Sequence, residues 1–159
     1  MAMKERSIPI AQTITAVFAV AELGLTAYLI SGDWNAPARL RLLHFASIWS
    51  LFVLAFLALA PRYLPGLFHR IPMAALALEC ITAIFWLGGS IALAAYWGIP
   101  SCSGNSYCGS SQAAIAFGFF LFALFCFLLV ADGLGFVRGN GQRAANGHHA
   151  SKPPTQLGV

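Results

Sequence analysis

Four long apolar runs, separated by short polar stretches, organise the chain. They cover residues 8–30, 42–60, 71–97 and 112–131. A helix crossing the hydrocarbon core of a bilayer needs about 20 mostly apolar residues, and each run meets that length. The period-two alternation of a membrane β-strand is absent. Helix stops stand at the run ends: Pro61 after the second, Gly98 and Pro100 after the third, Asp132 and Gly133 after the fourth. The links at 31–41, 62–70 and 98–111 are short, which makes successive helices antiparallel. The pattern predicts an all-α integral membrane four-helix bundle, with four transmembrane helices running up and down. From residue 138 the chain turns to Gly, Asn, His, Ser and Pro, too polar to bury a core. The expected division is a membrane domain at 1–137 and a disordered cytoplasmic tail at 138–159.

Composition sharpens this. Hydrophobic residues make up 59% of the chain and charged residues 9%, where a soluble domain carries about 25%. The net charge is +4, but the Lys and Arg residues sit singly at segment ends and form no basic stripe, so nucleic acid is excluded as a partner. Their distribution carries topology instead. Lys4, Arg6, Arg62, Arg70, Arg138, Arg143 and Lys152 fall on one side, and only Arg39 and Arg41 on the other. The positive-inside rule places both termini in the cytoplasm. Trp34, Tyr96 and Trp97 then lie near the outer interface and Tyr63 near the inner one. The first run resembles a secretory signal in its Lys4 and Arg6 and its Ala19-Val20-Ala21, but its apolar stretch is too long; it is expected to stay as a span.

The outer loop holds Cys102 and Cys108. On a Gly/Ser-rich loop facing an oxidising compartment they suit a disulfide, with free thiols as the alternative. Cys80 and Cys126 fall inside helices, where a free Cys packs as a small apolar residue.

Charged groups at membrane depth are the natural functional candidates. Two occur, Glu22 and Glu79. At 1.5 Å of rise per residue, Glu22 lies about 5 Å toward the outer face and Glu79 about 8 Å toward the inner face. His44, with Arg41 beyond it, is placed to reach Glu22; Gln12 and Thr15 lie at the depth of Glu79. One reading makes both carboxyls interhelical hydrogen-bonding contacts that hold the register. The other makes them parts of a proton or ion relay, with Thr13, Thr15, Ser47, Ser50, Thr82 and Ser90 as further lining groups. A shared helix face bearing both Glu residues and the hydroxyls would favour transport. Gly88 with Ala92, and Ala114 with Gly118, fit small-xxx-small packing faces, with a dimer interface as the alternative role for either. Six Phe stand between Phe117 and Phe127, facing lipid, neighbouring helices or both.

Enzyme signatures are missing: no metal-ligand spacing, no nucleophile elbow, no phosphate-binding loop. His148 and His149 are a pair in the tail, and Cys102 and Cys108 are not the C-x-x-C pair of a thiol oxidoreductase. No catalytic residue, metal or cofactor is expected.

Residues 39–132 resemble the MARVEL-domain proteins, in particular the small fungal tetraspanning members. The matching pieces run in order: Arg39-Leu-Arg-Leu-Leu, Ser47-Ile-Trp-Ser, Ala58-Leu-Ala-Pro-Arg-Tyr, Leu76-Ala-Leu-Glu-Cys, Ile84-Phe-Trp-Leu-Gly-Gly, Ile91-Ala-Leu-Ala, the two loop cysteines, and Ala113-Ala-Ile-Ala-Phe-Gly. The resemblance implies a non-enzymatic scaffold of specialised membrane regions, in the plasma membrane or the secretory pathway. Fungal members include proteins of the non-classical export type, linked to plasma-membrane microdomains. Its partners would be membrane lipids, other membrane proteins and further copies of the chain. Glu79, Trp86, Gly88 and the cysteine pair would be architectural. A small channel or transporter using Glu22 and Glu79 is the main alternative, and a thiol oxidoreductase a third.

Overall fold

The computed structural model describes residues 2–32, 37–63, 72–97 and 106–150. They form four helices: α1 (Ala2–Ser31), α2 (Ala38–Tyr63), α3 (Pro72–Trp97) and α4 (Ser106–Ala150). Each contains a stretch long and apolar enough to cross a membrane: Pro9–Ser31, Ala38–Ala60, Met73–Tyr96 and Ser106–Val137. In lipid no water is available to hydrogen-bond a free backbone group, so an uninterrupted helix is the natural state for such runs. Neighbours meet in a ring, α1 on α2, α2 on α3, α3 on α4, and α4 back on α1. The chain is an all-α, four-span membrane bundle.

Three of the four helices exceed their expected bounds. Two prolines lie inside them. Pro9 sits within α1; Pro61 falls in the last turn of α2, which ends two residues later at Tyr63 instead of at Ala60. Outside the first turn a proline removes one i→i−4 hydrogen bond, and both helices continue through that loss. The larger departure is α4. Asp132 and Gly133 do not stop it, and it continues through the stretch expected to be a disordered tail as far as Ala150. Glycine inside a helix costs only about 1 kcal/mol, and no proline stands in the way before Pro153. At 1.5 Å per residue the 45-residue helix is roughly 68 Å long, against a hydrocarbon core of about 30 Å. Its polar C-terminal part must therefore lie beyond the bilayer. Residues 151–159 lie outside the described residues.

The core follows the inward faces. Ala19 and Leu29 of α1, Leu40, Leu43, Ala46 and Leu54 of α2, Ala83, Trp86 and Leu93 of α3, and Ala114, Leu121, Phe125 and Leu128 of α4 are buried together. The outward faces are equally apolar: Val17, Phe52, Ile84, Ile91, Phe127 and Val130 are exposed. An exposed apolar surface on every helix is what a lipid solvent demands and what water would penalise.

Specific side-chain contacts fasten the ring. The indole N–H of Trp49 donates to Thr82 Oγ1 at 3.1 Å, and that of Trp86 to Ser50 Oγ at 2.8 Å, both joining α2 to α3. Phe45, Trp49 and Phe85 form an aromatic cluster over the same seam. Phe18 of α1 packs on Phe117 and Phe120 of α4, with ring centroids 5.7 and 4.8 Å apart. Arg39 stacks its guanidinium 5.0 Å from the centre of the Tyr96 ring, tying the start of α2 to the end of α3.

Candidate functional site

The bundle interior is unusually polar. Thr15, Glu22 and Thr26 of α1, Ser47 and Ser50 of α2, Glu79, Thr82 and Ser90 of α3, and Ser111 of α4 are all buried. Their spacing explains this. Residues 15, 22 and 26 on α1, and 79, 82, 86 and 90 on α3, recur at three, four or seven positions and so share one helix face. Thr13, two residues from Thr15 and so on the opposite side of α1, is exposed.

Most of the hydroxyls are satisfied locally. Thr15 donates to Ala11 O, Thr26 to Glu22 O, Ser47 to Leu43 O, Ser50 to Ala46 O, Thr82 to Leu78 O and Ser111 to Tyr107 O, each one turn back. This back-bonding lets a helix bury Ser or Thr without a partner on another helix. The oxygens of Ser50 and Thr82 remain free to accept the two indole N–H groups described above.

Three groups lack such a partner. Neither carboxyl oxygen of Glu22, neither of Glu79, and not the hydroxyl of Ser90 meets a hydrogen-bond donor or acceptor of the usual kind among the described residues. A buried polar group left this way costs of order 1–3 kcal/mol.

His44 does not reach the Glu22 carboxyl. Its Nδ1 lies 3.0 Å from Thr26 Oγ1, one turn along α1. Thr26 has one hydroxyl hydrogen, given to the Glu22 carbonyl at 2.8 Å, so His44 Nδ1–H is the donor in this bond. Arg41 is exposed. In place of the expected Glu22–His44 contact, His44 meets the side chain of Thr26, one turn from Glu22.

Glu79 faces α4. Its carboxyl neighbour there is Asp132. Gln12 instead borders a groove of about 440 Å³ between α1 and α2, lined also by Pro9, Thr13, Ala16, Leu51 and Ala58. Thr15 has committed its hydrogen to Ala11. Asp132 was read from the sequence as a helix stop. What could have found it is the antiparallel course of α3 and α4: Glu79 stands near the start of α3 and Asp132 near the C-terminal end of the fourth span, so both lie toward the same end of the bundle.

The small-residue faces are partly displaced. Gly118 is a true close contact, since a Cβ there would collide with Ser90 Oγ and lie 3.7 Å from the Trp86 ring. Ala114, one turn away, is fully buried. Gly88 is not such a contact: it is exposed, with nothing within 4 Å of an added Cβ. Its neighbour Gly89 takes that place, where a Cβ would come 2.8 Å from Leu43 Cδ2. One residue is a 100° turn of the helix, and Ala92 accordingly lies half-buried.

Cys80 is exposed on the lipid side and Cys126 half-buried, both as free thiols. Cys108 is disulfide-bonded; Cys102, its expected partner, lies outside the described residues, as do Trp34, His148 and His149 in their side chains. No group of three or more His, Cys, Asp or Glu is gathered as a metal site among the described residues.

These features define a four-span α-helical membrane protein with a polar, tightly packed interior. The chain belongs to the MARVEL family, the membrane-associating domain, which matches residues 8–131. It is 24% identical to the non-classical export protein 2 homolog 1 of Saccharomyces cerevisiae (strain ATCC 204508 / S288c), over 92% of this chain and 90% of the yeast protein. No solved structure matches it significantly. Neither the family nor the yeast relative is described as an enzyme.

Proposed function

We propose that this protein is a non-enzymatic organiser of membrane regions, acting by lateral association with lipids and with other membrane proteins. The observation that carries the reading is the outward surface. Exposed Phe52, Phe56, Phe119, Phe120 and Phe127 stud two of the four helices, while Trp86 and Phe125 fill the centre completely. A molecule whose chemistry faces outward into the bilayer acts on what surrounds it there. The yeast relative's name associates that protein with non-classical export, and a role at the plasma membrane or in the secretory pathway follows by likeness. A disulfide between Cys102 and Cys108, and both termini in the cytoplasm, belong to the same proposal. Imaging the tagged protein in its native cell, with cross-linking of neighbours, tests it: a patchy distribution with reproducible neighbours is expected, and a uniform one with none overturns it.

A second reading has a specific observation in its favour. Both Glu residues and seven hydroxyls are buried in the interior, the arrangement expected of a transport path. Against it, six of the buried hydroxyls donate to their own backbone, and Trp86 and Phe125 occupy the interior. Reconstituted vesicles decide: a pH-dependent ion flux that disappears in Glu79→Gln would establish transport.

A further inference from the structure

Pro9 opens the first membrane span and Ala58 stands two residues from the end of the second, so both mark one end of the bundle. There α1 and α2 do not close on each other. A groove of about 440 Å³ lies between them, lined by Pro9, Gln12, Ala16, Leu51, Ala55 and Ala58. A second, of about 290 Å³, adjoins it across the Pro9–Thr13 turn and is lined also by Ile10 and Ile14. The larger branch owes its depth to small side chains, three of its walls being alanines. Thr13, Ala55 and Ala58 are exposed, so the recess opens to the surroundings of the bundle and not into its core. At 1.5 Å per residue, Pro9 to Ala16 reaches about 10 Å along the span, within one leaflet of a hydrocarbon core about 30 Å thick. What fills an outward-facing recess at that depth is lipid.

The chemistry of the recess selects among lipids. Two branches beside one ridge suit two flexible chains, which a glycerophospholipid has and a rigid sterol lacks. Gln12, half-buried in the larger branch, carries two N–H donors near the depth where acyl chains meet their ester carbonyls. Thr13 gives its own hydrogen to Pro9 O at 2.9 Å, so it presents no O–H to a ligand. One turn before Pro9 on α1 stands Arg6, with Lys4 and Glu5 just ahead of it, and one turn after Ala58 on α2 stands Arg62. Three cations against one acid give this end of the helix pair a net positive charge, which complements an anionic headgroup.

We propose that this recess is a binding site for one anionic glycerophospholipid, its two chains in the branches beside Pro9, an ester carbonyl accepting from the Gln12 amide, and its phosphate headgroup toward Arg6 and Arg62. The proposal rests on the reading that the protein works through the lipids around it, and gives that reading a place and a lipid class. A lipid held between the first two spans moves with the protein, so clustering the protein enriches that lipid beside it.

The test is native mass spectrometry of the full chain, released from nanodiscs holding equal parts of phosphatidylglycerol and phosphatidylcholine. One retained phosphatidylglycerol per chain is expected. Ala55→Leu/Ala58→Leu fills the larger branch from its exposed side and should abolish retention, and Gln12→Leu should weaken it. Arg62→Gln should lower the preference for phosphatidylglycerol about fivefold. Ala95→Leu, equally exposed but at the other end of the bundle on α3, should behave as the unaltered chain. No retained lipid, equal retention of the two lipids, or retention that survives Ala55→Leu/Ala58→Leu overturns the proposal. Displacement of the phospholipid by added sterol overturns it too, by showing that the recess fits a rigid ring system. If the double leucine variant does not fold, Gln12→Leu and Arg62→Gln decide, and unchanged retention and preference in both overturn the site. Retention is read on the purified chain and membrane patches are read in the cell, so failure of this site is distinguishable from failure of the organising role.

Discussion

Trp86, fully buried on α3, donates its indole N–H to the hydroxyl of Ser50 on α2 over 2.8 Å. Ser50 in turn donates to the carbonyl of Ala46. One hydroxyl thereby serves both its own helix and its neighbour's tryptophan. In an apolar solvent, where burial of a side chain gains little, such contacts are worth about 0.6–2 kcal/mol each. Trp86→Phe should lower stability by more than that, because it also leaves a void. Ser50→Ala should cost about 1 kcal/mol, and the double variant less than the sum. Thermal midpoints of the four proteins in detergent measure the cycle; strict additivity would deny the contact any weight.

Gly88 on α3 and Gly118 on α4 offer a contrast. Gly118→Ala places a methyl against Ser90 Oγ and should cost about 1–3 kcal/mol. Gly88→Ala meets open space and should be neutral, or stabilising by up to about 1 kcal/mol, through helix propensity. Because the Ser90 hydroxyl has no partner, Ser90→Ala should be harmless alone and should recover part of the loss in Gly118→Ala. Equal effects of the two glycine substitutions would show that the helices pack in a different rotation.

That contrast marks where the sequence was legible. Span number, helix type and antiparallel order follow from run length and loop length, because the bilayer leaves few alternatives. Helix rotation does not follow, because both faces of every span are apolar and the inward one is distinguished by only a few polar residues. Within the bundle the close approach falls at Gly89, one residue in rotation from Gly88. Asp132 was missed for a related reason: it looked like the end of a helix, and the helix did not end.

The long α4 raises a question about its C-terminal part. Deleting residues 139–159 should leave the bundle folded, because the core ends at Leu128 on this helix and the deleted stretch is polar. Insertion and thermal midpoint should match the full chain. A substituted cysteine near Asp33 should label from outside intact cells and a tag after Val159 should not, as the distribution of Lys and Arg requires. Labelling of the tag from outside would invert the topology and remove the oxidising location assigned to Cys102 and Cys108.

Glu22 yields the sharpest separation of structure from function. Both its oxygens are buried without partners, His44 having bonded to Thr26 instead. If the bundle only needs to pack, this carboxyl is a burden: it loses its hydration and regains nothing in hydrogen bonds. An apolar side chain of similar length should fit better. Glu22→Leu is therefore expected to raise stability by about 1–3 kcal/mol, equivalent to a few degrees in the thermal midpoint for a protein of this size. Glu22→Gln, which keeps the polar group and its unmet bonds, should gain little. A fall in stability for Glu22→Leu would mean that the carboxyl holds something. A stable Glu22→Leu protein that no longer forms membrane patches in the cell would give the opposite lesson: the buried acid would then be kept at a cost to the fold because the protein's work in the membrane depends on it.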